Sequence, residues 1–116
     1  DYVRTGFATE GSFEAHFGEE ADIERLMVWD LNREMTTRVG WKPYMHNMAL
    51  PYLLPSGHTP TLLVWGSEDA IVPANSGALY AEKLPNARLE MIQGAGHWLE
   101  LERPDDLAQL IVAHEG

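Results

Sequence analysis

The stretch 60-PTLLVWGSEDAIVP-73 decides the fold of this chain of 116 residues. Its residues 61–65 form a short, unbroken apolar run that Gly66 closes, the pattern of a parallel strand buried on both faces. Downstream, 74-ANSGALYAEKL-84 places Tyr80 and Leu84 on one helical face, and Pro85-Asn86 stops it. A second strand follows in 88-RLEMIQ-93, more polar and therefore nearer a sheet edge. Pro104 suits a first helical position, Asp105 and Asp106 fill the first turn, and Leu107, Leu110 and Ile111 form an apolar stripe. The second half reads βαβα.

Strands joined by a single helix run parallel through a right-handed crossover, so 61–65 and 88–93 are expected side by side or one strand apart. Their C-terminal ends then share one edge, where open α/β sheets bind ligands. Two loops emerge there, 66-GSEDAIVP-73 and 94-GAGHWLELERP-104. Neighbouring strands lie about 4.8 Å apart, so Asp69 on the first loop and His97 on the second converge. A carboxylate on one ring nitrogen fixes the histidine tautomer and stabilises the imidazolium formed when the other nitrogen takes a proton from a nucleophile. That pair is two thirds of a hydrolytic triad. Glu68 is the competing acid, but it sits one residue nearer the strand end and points elsewhere; Asp69 alternatively only caps the turn that follows it.

Upstream of Pro60, Ile23, Leu26, Met27, Leu31 and Met35 recur on one helix face, and Glu19, Glu20, Asp22 and Glu24 suit the positive end of a helix dipole. A helix over 20–38 is expected. Gly40, Pro43, Pro51, Pro55 and Gly57 then break residues 40–60 into short helical turns and loop.

The two stretches 60-PTLLVWGSEDAIVP-73 and 85-PNARLEMIQGAGHWLELERPDDLAQLI-111 together resemble the C-terminal part of an α/β-hydrolase fold. In that family a G-x-x-D-x-x-x-P loop supplies the triad acid and a G-x-G-H loop the histidine. The likeness covers residues 60–114 and is specific, because an apolar strand, acid loop, helix, Gly-His strand end and E-R-P helix start occur in order. It implies a helical cap or lid over residues 1–55 and the C-terminal part of the hydrolase core over 56–116. Such enzymes place their nucleophile on a G-x-S-x-G elbow, in the order Ser, Asp, His. No such elbow surrounds Ser12, Ser56, Ser67 or Ser76, and the upstream strands and oxyanion loop are also missing. With Asp1 rather than Met in first place, the expectation is a processed chain or a piece of a longer protein, inactive by itself. The resemblance implies a parent hydrolysing esters, carbon–carbon bonds or related small molecules, without a cofactor. A noncatalytic hydrolase-like binding module or receptor is the alternative. The residue at the upstream elbow discriminates: Ser for the hydrolase, Asp for dehalogenase or epoxide chemistry, an inert residue for binding.

Composition narrows the partners. Eight Lys and Arg against 18 Asp and Glu give a formal charge of −10, which repels phosphate backbones and anionic lipid. Nucleic acid and membrane partners are therefore disfavoured, and apolar patches such as 48-MALPYLLP-55 fall far short of the roughly 18 residues of a membrane helix. The absence of cysteine excludes disulfides, thiolate catalysis and cysteine-ligated metals, and is compatible with the reducing cytoplasm expected here. Oligomeric state is not legible.

The remaining signals have plainer readings. His16, His46, His58 and His114 lack metal-ligand spacing with carboxylates. Gly94 and Gly96 lack the third glycine of a dinucleotide fingerprint. Trp98 is expected either to line the substrate pocket or to shield the acid–base pair. Trp29, Trp41, Tyr44, Met45 and Met48 read as cap packing before an acyl or aromatic pocket. Glu100, Glu102, Asp105 and Asp106 read as dipole complement and solvated surface.

Overall fold

The computed structural model describes residues 2–18, 22–40 and 47–115. Glu19, Glu20, Trp41, Tyr44, Met45 and His46, together with the first two residues of the expected 20–38 helix, lie outside them. The described elements are α1 (Tyr2–Thr5), α2 (Ser12–Phe17), α3 (Ile23–Gly40), α4 (Leu50–Leu53), a 3₁₀ turn (Leu54–Ser56), β1 (Thr61–Gly66), α5 (Asn75–Lys83), β2 (Ala87–Ile92), α6 (Leu99–Glu102) and α7 (Pro104–Glu115).

The two strands are parallel neighbours, in register from Thr61 opposite Ala87 to Gly66 opposite Ile92. The crossover helix α5 lies close on them because Gly77 is buried; a Cβ there would come within 3.0 Å of both Leu89 and Trp65. Ile92, Ala95 and Leu99 form the core of this half, and Val64, Leu107 and Leu110 pack around it. The α7 stripe thus docks through Leu107 and Leu110, whereas Ile111 remains exposed. The segment 94–104, expected as loop, contains the one-turn helix α6, which turns Leu99 into the core.

The N-terminal half is held together by rings. Phe13 and Phe17 lie 5.1 Å apart, Trp29 packs edge-on against Phe17 at 5.5 Å, and Arg4 and Arg25 stack over Phe13 and Phe17. These contacts combine apolar burial with favourable ring and cation geometry. Trp29 is therefore a packing residue against α2. The long helix α3 starts where Asp22 accepts the Arg25 backbone N–H at 2.7 Å, an N-terminal cap. Its expected apolar face is largely exposed: Leu26, Leu31 and Met35 are 48, 62 and 59% exposed, and no α3 residue is buried.

Candidate active site

The two loops at the C-terminal edge of β1 and β2 are stitched together by backbone. Ser67 N–H donates to the Ile92 carbonyl, Glu68 N–H to the Ala95 carbonyl at 2.9 Å, and Gly94 N–H to Ser67 Oγ. This approach needs Gly66, since a Cβ there would stand 2.2 Å from the Gly96 carbonyl oxygen. Gly94 adopts a left-handed φ of 67°, which turns the chain back over the strand ends and is cheap only without a side chain.

On that frame His97 Nδ1 lies 2.9 Å from Asp69 Oδ2. The other carboxylate oxygen, Oδ1, accepts the backbone N–H groups of Ile71 and Val72, each at 2.8 Å. Asp69 thus holds the turn through one oxygen and contacts His97 through the other, so it does more than cap the turn. Glu68 is exposed and makes no part of the pair. The Asp69 side chain is 5% exposed and that of His97 29%. Burial by itself would raise the Asp69 carboxyl, but the hydrogen bonds from His97, Val72 and Ile71 outweigh it and hold the group below the ordinary carboxylate range.

An ionised carboxylate only accepts, so the proton between the two groups belongs to His97 Nδ1. In the tautomer that donates from Nδ1, Nε2 is the nitrogen left to accept a proton, as a general base requires. Among the described residues none hydrogen-bonds to Nε2. Trp98 stands edge-on against the His97 ring with centroids 4.9 Å apart, and its Nε1–H donates to the Val3 carbonyl at 2.9 Å. It forms a half-buried wall beside the base, anchored to α1.

One residue here escaped sequence reading. Glu102, expected on the solvated surface, turns inward: Oε2 accepts the Gly96 N–H at 2.7 Å, and Oε1 accepts those of Ala8 and Thr9 at 2.9 and 2.7 Å. Nothing in the spacing of 94–104 separates Glu102 from exposed Glu100, because the N–H groups it serves come partly from a segment more than 90 positions away.

Among the described residues no group of three or more His, Asp or Glu side chains is placed to hold a metal ion, and no helix is long and apolar enough to cross a membrane. A family model described as the alpha/beta hydrolase fold matches residues 7–104. A 2-hydroxy-6-oxononadienedioate/2-hydroxy-6-oxononatrienedioate hydrolase of Pseudomonas sp is 34% identical over 61 residues, covering 53% of this chain and 22% of that protein. Monoacylglycerol lipase ABHD6 of Mus musculus is 32% identical over 53 residues, 46% of this chain and 16% of its own length. The chain spans about a fifth of the curated relatives it matches. Among solved structures, the α/β hydrolase enzyme MGS-MChE2, from the metagenome of lagoon sediments at Mar Chica, Morocco, superposes with a TM-score of 0.61 at 32% identity, over 74% of this chain and 39% of that one. A serine hydrolase involved in carbazole degradation, the CarC enzyme, gives 0.54 at 26% identity, over 56% and 25%.

Proposed function

The chain belongs to the α/β-hydrolase fold family, and from that premise we propose that it carries the acid and the base of a hydrolytic triad whose nucleophile stands on an upstream G-x-S-x-G elbow of the complete protein. The observation that carries this reading is the 2.9 Å contact between His97 Nδ1 and a buried, ionised Asp69, each at the end of one of two adjacent parallel strands.

His97 Nε2 takes the serine proton as the serine oxygen bonds to the substrate carbonyl carbon, and Asp69 stabilises the resulting imidazolium. The same nitrogen then protonates the departing alkoxide or carbon leaving group as its bond to the carbonyl breaks. His97 next deprotonates a water, whose oxygen attacks the acyl-serine, and returns the proton to the serine as the acid leaves. Trp98 lines the substrate side of the base, and the helices of residues 1–55 act as the cap. The substrates are small molecules with an ester or an activated carbon–carbon bond, which the names of the hydrolase and lipase relatives support. The 116-residue chain alone is inactive in this reading.

In the complete protein, His97→Ala and Asp69→Asn are each expected to lower kcat on p-nitrophenyl butyrate by up to about 10⁴-fold, with folding retained by circular dichroism. Undiminished turnover in either variant overturns the assignment.

A further inference from the structure

Resting on that triad reading, we propose that Glu102 is a positioning residue for His97, acting through the backbone on both sides of the loop that carries the base. It grips Gly96, the residue before His97, directly through Oε2. Through Oε1 it grips Ala8 and Thr9, and so holds the segment whose Gly6 carbonyl accepts the His97 backbone N–H at 2.6 Å. The next residue, Trp98, is tied to the same segment through the Val3 carbonyl. One carboxylate therefore unites the His97 loop with a strap formed by residues 3–9.

The loop and the strap approach so closely that neither glycine between them has room for a side chain. A Cβ on Gly96 would stand 2.3 Å from the Gly6 carbonyl oxygen and 2.8 Å from Glu102 Oε2, and a Cβ on Gly6 would run into the Trp98 indole. Three N–H donors converge on two oxygens, and a carboxylate side chain offers an acceptor at both positions. A glutamine at 102 turns an amide N–H₂ toward either Gly96 or the Ala8–Thr9 pair, setting donor against donor. The strap then loosens, and the His97 ring drifts relative to Asp69 and to the nucleophile. Misplacement by about 1 Å is enough to cost on the order of 100-fold in rate.

The test has two arms. In the 116-residue chain, nuclear magnetic resonance follows the His97 Nδ1 proton hydrogen-bonded to Asp69: in Glu102→Gln it is expected to broaden or vanish, while Glu100→Gln, at the exposed neighbouring acid, leaves it unchanged. In the complete hydrolase, Glu102→Gln is expected to lower kcat on p-nitrophenyl butyrate by about 10- to 100-fold with KM altered less than about twofold. Glu102→Asp, which retains the charge, recovers part of the loss. An unchanged Nδ1 resonance in a folded Glu102→Gln chain overturns the positioning role whatever the activity. An altered resonance in a protein whose turnover does not depend on His97 instead upholds it and overturns the triad reading. Should Glu102→Gln not fold, amide exchange in the unaltered chain decides: Gly96, Ala8 and Thr9 are expected to exchange as slowly as β2 amides, and fast exchange at all three overturns the proposal.

Discussion

Asp69 uses both carboxylate oxygens, one to hold the turn that begins its loop and one to hold His97, and each contact counts on the ionised form. Its carboxyl is held below the ordinary Asp value, about 3.9 in an unfolded chain. A group depressed in this way contributes stability that is complete above its unfolded pKa and lost as pH falls through the lower folded value. Thermal melts are therefore expected to change little on this account from neutrality down to about pH 4 and to fall below it. Asp69→Asn is expected to flatten that acid limb, and an identical limb in the variant contradicts the linkage. At this scale the sequence was informative about Asp69 and His97, since both follow strand-ending glycines on loops that share an edge. It was silent about Glu102, whose partners Ala8 and Thr9 are neighbours only after folding.

The elements divide by what their apolar faces meet. Strand β1, strand β2 and helix α7 bury theirs against one another through Val64, Ile92, Leu99, Leu107 and Leu110. Helix α3 forms from local signals, with the Asp22 cap and the Arg33–Asp30 and Arg38–Glu34 pairs on its surface, and leaves its apolar face open. Helical periodicity was thus sufficient to find α3 but could not tell whether the face would be covered. The difference predicts an asymmetry in cost. Leu99→Ala deletes a side chain that is 8% exposed and is expected to lower stability by about 2–5 kcal/mol. Leu31→Ala, at 62% exposure, is expected to stay within about 0.5 kcal/mol. Urea unfolding of the two variants measures both, and equal losses would show α3 to be covered in solution.

For the whole molecule, the radius of gyration is 16.4 Å, against about 13.4 Å for a compact domain of this length. The accessible surface is 8560 Å², roughly 2200 Å² more than a compact monomer of this mass exposes. That excess is well above the ~800 Å² one partner contributes to a standard interface. The apolar side chains of α3 supply part of it, and β1, paired on one side only among the described residues, adds an open edge. The isolated chain is accordingly expected to self-associate with rising concentration in sedimentation velocity; a sharp monomer across the micromolar range would contradict this. Local order along the chain was enough to establish the parallel βαβ crossover, the edge at which the loops emerge, and the pairing of an acid loop with a histidine loop. All of these follow from strand periodicity, glycine and proline placement, and the handedness of crossovers. Tertiary structure alone decided that Asp69 divides its oxygens between turn and histidine, that Glu102 turns toward Gly96, Ala8 and Thr9, and that the apolar side chains of α3 stay largely exposed. Each depends on which distant groups occupy the same few ångströms, and no periodicity along the chain encodes that proximity.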